Sequence, residues 1–398
     1  MSVVLYDDAR ARTFEPFALT RPASEMRAGA LLVRRRWERA LEMVASGVVV
    51  APHLIEFEEL GTPPVLQGDI PAGTVIANSR CAVTLDAIGA ADAWRCDGRI
   101  AAVRLTKPLS IGELQAGALD IASLVDSGGK VPDVIGWWID EVWDYIRFLP
   151  ALLEHDIECL AEALELERGL HLTKMGDYPV YVERGARIDP FVVFDCQAGP
   201  VLVRRGASVA AFTRLVGPCV IGADAQVLGG KVTTSSIGES SRVMGEVSHT
   251  IFVGHANKAH EGFVGHSILG RWVNFGASTV TSNLKNTYGP VALWTPEGLR
   301  DTGLQFLGTL AGDHVKTAIG TRLTTGSVLG AGANVFGGGA TPKVVAPFSW
   351  GDAGSETNEL DRFLTVAERA MIRRDVVLTP RMRRTLERAY ARRWTATP

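Results

Sequence analysis

Val203, Val209, Leu215, Ile221 and Val227 fall six residues apart, and Thr317, Leu323, Leu329 and Val335 take up the same beat further along. Several of these apolar positions are followed by glycine, as in IGADA, IGESS and LGAGA. A sixfold period is a hexapeptide repeat, and three repeats make one triangular coil of a left-handed parallel β-helix. Each apolar residue then points into a prism from a flat face, small residues fill the corners, and each coil rests on its neighbours. The beat predicts such a prism over residues 176–350. It breaks in NLKNTYGPVALWTPEGLRDTG, residues 283–303. A solenoid accommodates extra residues only as an external loop, either a spacer or a carrier of function.

The segment before the prism has another texture. SVVLYD, GVVVA, TVIANS and IAAVRL are short β-branched runs, and MRAGALLVRRRWERALEMV between the first two carries Leu31, Leu32, Trp37 and Leu41 at helical spacing. Strand, helix and strand in alternation predict an α/β domain with a mostly parallel sheet. The stretch from IGWWID to LELERG reads as helices broken near Pro150, a linker that closes a first domain at residues 1–175. After residue 350 a helical tail follows. In it TPRMRRTLERAYARRW starts with Thr379 as N-cap and Pro380 in the first turn. Its arginines, Arg381, Arg383, Arg384, Arg388, Arg392 and Arg393, fit a solvated helix face or an anion site.

Two domains also suit 398 residues. A net charge of −3 supplies no overall pull towards nucleic acid, and no run of about 18 apolar residues argues for a membrane span. The N-terminus lacks the pattern of a signal peptide. The five cysteines, Cys81, Cys96, Cys159, Cys196 and Cys219, are scattered and never CxxC, so free thiols in a reducing cytoplasm are expected.

Four of the eight histidines, His249, His255, His260 and His266, lie within NKAHEGFVGHS or just before it. Imidazole suits zinc and related ions, which opens a metalloenzyme reading of the hydratase type. Within each pair, however, the histidines are six apart. One repeat advances one face around the prism, so such side chains diverge, and about eighteen residues are needed to stack them. Acid–base chemistry needs only one neutral imidazole near physiological pH. Acyl transfer to an amine requires such a base, together with donors for the developing oxyanion, which amide side chains can supply. Asn257, Asn274 and Asn283 lie nearby, and Lys258 and Lys285 offer charge for a sugar phosphate. Asparagine in a β-helix also forms stacking ladders, and a lone lysine is commonly just solvated.

The segment GEVSHTIFVGHANKAHEGFVGHSILGRWVNFGASTVTSNLKNTYG, residues 245–289, resembles the acetyltransferase domain of the bifunctional N-acetylglucosamine-1-phosphate uridyltransferase/glucosamine-1-phosphate acetyltransferase family. The match is to a shorter bacterial branch. The start of the chain and the tail after Leu364 are also similar to that branch, while residues 85–175 are less so. The resemblance implies a homotrimer with active sites in the clefts between neighbours and acetyl-CoA as acyl donor. It implies His260 as the general base and Asn274 as the residue that positions the acetyl group or the sugar amine. It places Asn283 near the sugar phosphate. Phe263 stands where the better-known branch has a tyrosine, and Tyr288 or Lys285 is the candidate replacement. The tail arginines correspond loosely to a region that touches coenzyme A.

The first domain is similar to nucleotidyltransferase folds but departs from their motif. Family members have a glycine-rich loop whose amides cradle nucleotide phosphates. Here YDDARARTFEPFALTRP holds that place without a glycine. Arg10, Arg12 and Arg21 offer positive charge, and Asp7 and Asp8 offer carboxylates for Mg²⁺ or for capping a turn. After the TVIANS strand the metal-binding aspartate is replaced by Asn78, Ser79 and Arg80. The expected enzyme N-acetylates a hexosamine 1-phosphate in the prism, and the first domain transfers a nucleotidyl group from UTP or dTTP with Mg²⁺. Its alternatives are a zinc-dependent hydratase and a non-catalytic protein that binds sugar nucleotides.

Overall fold

The computed structural model describes residues 2–351 and 356–395. Its chain divides into two compact units. One comprises the chain up to Asp144 with Thr379–Arg392, and the other comprises Tyr145–Leu378 with the residues from Arg393 onward.

In the first unit a six-stranded sheet is built around Ser2–Tyr6, flanked by Val44–Val49 on one side and Val75–Asn78 on the other, both parallel to it. Arg99–Arg104 and Ala93–Cys96 extend the sheet with antiparallel pairings and Asp133–Val134 joins its edge in parallel, so three of the five pairings are parallel, as expected, and two are not. The helix is shorter than the sequence spacing predicts, Val33–Leu41, because Arg27–Ala28 and Leu31–Leu32 pair as a two-stranded ribbon. Gly29, at φ 63°, makes the turn that diverts Leu31 and Leu32 from the helix. Trp37 is fully buried and its indole N–H donates to the Cys81 carbonyl at 3.0 Å, fixing the helix on the sheet. Of the stretch expected to be helical, Gly136–Trp138 is instead a strand paired with Cys81–Val83. Pro150, which belongs to the second unit, opens the helix Leu149–Ala161 rather than breaking one, since its missing N–H is an unbonded position in a first turn. The last helix of the first unit, Pro380–Arg392, is capped by Thr379, whose hydroxyl accepts from the Met382 N–H at 3.2 Å.

The second unit is a parallel β-solenoid of about ten turns, matching a left-handed β-helix. The six-spaced residues from Val203 to Val227 are all at 0% exposure, and Leu323, Leu329 and Val335 are buried with them. Each such side chain contributes about 1.5–3 kcal/mol on leaving water. Three faces recur in order. One holds Asn257–Lys258, Asn274–Phe275 and Lys316–Thr317. The second holds Phe263–Gly265, Val280–Thr281 and Arg322–Leu323. The third holds Ile251–Phe252, Ile268–Leu269 and Thr309–Ala311.

Small residues such as Ala207, Ala225 and Ala256 are buried in this unit. Bulky residues in left-handed backbone also occupy corners, among them Phe191, Phe212, His249, His255, His266, Trp272 and His314. Identical corners then stack coil upon coil. Phe191 lies flat on Phe212 at 5.5 Å, and His249 lies flat on His266 at 4.5 Å. The break in the beat is an inserted loop bearing the hairpin Ala292–Thr295/Gly298–Asp301, and it leaves the prism between the second and third faces. After the repeats, helix Leu360–Ile372 packs through Phe363, Leu364, Ala367 and Met371. Among the described residues no helix is long and apolar enough to cross a membrane.

Candidate active site

On the first face the paired residues of successive coils form one outward column: Gln226, Arg242, Asn257, Asn274, Lys316 and Asn334. A parallel solenoid stacks such positions in register, so their side chains touch. Asn257 Nδ2 donates to Asn274 Oδ1 at 2.6 Å. A groove of about 710 Å³ runs over this column, and Val366, Arg369, Ala370, Arg373 and Arg374 form its other wall. His260 lines the groove from the corner between the first and second faces. Among the described residues five cations line it, Arg242, Lys316, Arg369, Arg373 and Arg374, and no carboxylate does. Burial pushes the Lys316 ammonium down to about 8.

The corner bearing His260 is held from beneath. Lys258 is fully buried, and its ammonium donates to the carbonyls of Glu261 at 2.8 Å, Met244 at 3.4 Å and His260. Lys258 therefore does not face a ligand. Its neighbours on either side point out of the prism while it points in, and its charge clamps the backbone turn of residues 258–261. Burial lowers that ammonium to about 8. Glu261 closes the corner by accepting from the Ser278 hydroxyl at 2.6 Å.

The remaining candidates lie at another corner. Asn283 Nδ2 meets His266 Nδ1 at 2.8 Å, and the His266 ring stacks on Phe306, just after the insertion, at 5.2 Å as well as on His249. Burial, and then the neighbouring His249, pushes His266 down to about 4; burial lowers His249 as well. Lys285 donates to the Pro290 carbonyl at 2.8 Å, and Tyr288 is 69% exposed. One chain thus gathers His260, Asn257 and Asn274 in the groove, and Asn283, Lys285 and Tyr288 on the insertion.

The histidines pair differently from the sequence expectation. Those six apart do diverge, but His249 and His266 are one coil apart and stack. His255 packs on Trp272 at 4.5 Å and meets Arg271 at 2.9 Å. Among the described residues of this unit, no three His, Cys, Asp or Glu ligand atoms converge as a metal site would need.

In the first unit the ends of Ser2–Tyr6 and Val75–Asn78 form a topological switch point, because the chain passes from the first strand to Val44–Val49 on one side and then to Val75–Asn78 on the other. Asp8, Asn78 and Arg80 meet there. The Asp8 carboxylate accepts from Asn78 Nδ2 at 2.9 Å and the Ala11 N–H at 2.9 Å, and it pairs with Arg80 at 2.8 Å. Burial raises the Asp8 carboxyl, but the Arg80 and Asn78 bonds outweigh it and hold it below the usual range. Arg80 also pairs with Asp140 at 2.5 Å, and Asp140 with Arg99 at 2.9 Å. Asp7 is buried, accepts from the Ala23 N–H at 2.9 Å, and is pushed up to about 6 by burial.

The positive charges named from the sequence are equally committed. Arg21 is 1% exposed and forks onto Glu59 at 2.6 and 3.2 Å. Arg12 donates to the carbonyls of Asp7, Leu114 and Gln115, and Arg10 pairs with Glu141 at 2.5 Å. Mg²⁺ requires free, hard carboxylate oxygens. Asp8 is taken up by a guanidinium and an amide, Asp7 is buried, and a carboxamide stands at position 78. These residues do not fit the ion. In the tail, Arg381 and Arg384 approach Glu56 at 3.6 and 3.3 Å.

Sequence reasoning missed Arg369, Arg373, Arg374, Arg242 and Lys316. The spacing of Arg369 and Arg373, four apart, marks one helix face and was a legible signal. Lys316 carried none, because the insertion separates it from Asn274.

Residues 3–164 match the family model described as sugar nucleotidyl transferase. The chain is 33% identical over 101 residues to a bifunctional protein GlmU of Methanococcus vannielii, covering 24% of this chain and 23% of that protein. It is 30% identical over 93 residues to a bifunctional sugar-1-phosphate nucleotidylyltransferase/acetyltransferase of Sulfurisphaera tokodaii, covering 23% of each. A GlmU protein of Methanocaldococcus jannaschii is 34% identical over 94 residues, 24% of this chain and 22% of that protein. The chain thus spans less than a quarter of the length of the curated relatives it matches. Its first domain is nucleotidyltransferase-like and precedes a parallel β-helix, and the chain is similar to bifunctional sugar-1-phosphate nucleotidyltransferase/acetyltransferases.

Proposed function

We propose that the β-helix groove transfers an acetyl group from acetyl-CoA to the amine of a hexosamine 1-phosphate. The observation that carries this reading is the convergence of His260 with the Asn257–Asn274 pair in a groove whose charged lining is entirely cationic. Such a groove suits the phosphates of an acyl-CoA. His260 takes a proton from the sugar ammonium, leaving the nitrogen lone pair free to attack the thioester. Asn274 accepts from Asn257 through Oδ1, so its Nδ2–H is the end that faces an acyl oxygen.

Asn283, Lys285 and Tyr288 lie at a different corner from His260, so the reading includes a homotrimer in which a neighbouring copy brings the sugar-phosphate contacts to the groove. Thiol release from acetyl-CoA by the purified protein, with a series of amino-sugar 1-phosphates, tests the proposal. The His260→Ala variant is expected to lose about 10²–10⁴-fold in rate. Full activity in that variant would refute the assignment of the base.

For the first domain, similarity to sugar nucleotidyl transferases supports a nucleoside triphosphate, UTP or dTTP, and a sugar phosphate as ligands. The Asp8–Arg80–Asp140 ion pairs favour a second reading there, binding of a sugar nucleotide without transfer. Pyrophosphate release on addition of nucleoside triphosphate distinguishes the two.

A further inference from the structure

Lys316 and Lys258 are both lysines on the first face with lowered pKa values, yet the fold treats them differently. Lys258 points inward and spends its ammonium on backbone carbonyls. Lys316 belongs to the outward column, lines the groove, and has one long hydrogen bond, to the His314 carbonyl at 3.5 Å. It is the register partner of Asn274, one strand spacing of about 4.8 Å further along the prism. On the other side of Asn274 stands Asn257, which occupies Asn274 Oδ1 and leaves Nδ2–H as the donor end of that amide. An amide donor and an ammonium thus stand side by side within a groove reached by His260.

We propose that Lys316, together with Asn274 Nδ2–H, receives the oxyanion that develops during acyl transfer. This rests on the acetyl-transfer reading. As the amine nitrogen bonds to the thioester carbon, the C=O electron pair moves onto oxygen, where Lys316 and Asn274 stabilise it. His260 has by then passed the ammonium proton to solvent, and it takes the second proton as the N–C bond forms. Collapse of the tetrahedral intermediate re-forms C=O and breaks C–S, and the departing sulfur takes the proton from His260 as the free thiol. Atoms and charge balance with one proton, that of the starting ammonium, released to solvent. A charge placed where the oxyanion forms acts on the rate rather than on ground-state binding.

Among the described residues, the other titratable groups lining the groove with Lys316 are Arg242, His255, His260, Arg369, Arg373 and Arg374. None is an acid, so none restores a proton affinity lowered by burial. Lys316 is charged at neutral pH and loses its proton as the pH passes about 8. A rate that depends on the ammonium falls on that alkaline side.

The test uses the full-length protein with acetyl-CoA and the best amino-sugar 1-phosphate, with kcat and KM followed across pH. Lys316→Met is expected to lower kcat by about 10²–10³-fold while KM for acetyl-CoA moves less than about threefold. Lys316→Arg is expected to recover part of kcat and to move the alkaline fall beyond the accessible range, because guanidinium does not titrate there. Unchanged thermal midpoints in both variants separate these effects from misfolding. A raised KM with unchanged kcat in Lys316→Met would show a phosphate anchor and overturn the proposal. So would wild-type kinetics in that variant. A wild-type protein that releases no thiol with any amino-sugar phosphate would instead sink the acetyl-transfer reading, and this inference with it.

Discussion

Acidification is expected to destabilise this protein through one corner of its prism. His266 lies between the His249 and Phe306 rings, and its pKa falls from 6.5 to about 4, first through burial and then through His249. A lowered folded-state value means that the unfolded chain binds the extra proton. The stability tied to His266 is therefore complete above about pH 6.5, drains as pH falls, and stops changing below about pH 4. At about pH 5 the unfolded imidazole is almost fully protonated and the folded one about a tenth so, a loss of about 2 kcal/mol. His266→Phe keeps an aromatic ring in the stack and removes the titration. Its missing bond to Asn283 costs about 1 kcal/mol at any pH. The assay is the urea-unfolding free energy of wild type and variant from about pH 7.5 to 4.5. His249 is present in both proteins, so the difference between them reports His266 together with its coupling to His249. The wild-type advantage should shrink by about 2 kcal/mol and change sign on the way down. Parallel pH profiles, or an NMR titration of His266 near its ordinary value, would refute the reasoning.

Two further outcomes follow from the groove and the strand ends. Asn257→Ala removes the hydrogen bond that orients Asn274, and is expected to lower kcat by about fivefold, the equivalent of about 1 kcal/mol, well short of the effect of Asn274→Ala in the same steady-state assay. Treatment with EDTA should leave both thiol release and the thermal midpoint unchanged, because no carboxylate lines the groove and Asp8 is committed to Arg80 and Asn78. A loss of activity restored by Mg²⁺ would count against that account.

The contrast between Asn274 and Lys316 shows where reading along the chain stops. Asn257 and Asn274 are one coil apart with no insertion between them, and their place in NKAHEGF and VNFGAS is legible. Lys316 occupies the next rung of the same column, but the inserted hairpin hides the period. Lys258 illustrates the opposite failure. Its charge suggests a ligand contact, while alternation along the strand turns it into the prism, where only backbone carbonyls are available. Arg80 and Asp140 lie sixty residues apart, and nothing local announces that one neutralises the other.

The sequence by itself determined the prism and its core, because a sixfold apolar period has to bury one side chain per face, and residues from Val203 to Val335 do so. It also determined that the domain before it is α/β, and it singled out His260, Asn257 and Asn274. Only the tertiary structure decided which charges are free. It set Lys258, Arg21 and Asp8 into internal bonds, stacked His249 on His266, and brought Lys316, Arg369, Arg373 and Arg374 to one groove. Periodicity is a local property that backbone geometry repeats along the chain. The state of a charge depends on neighbours that the coil and its insertion bring from far along it.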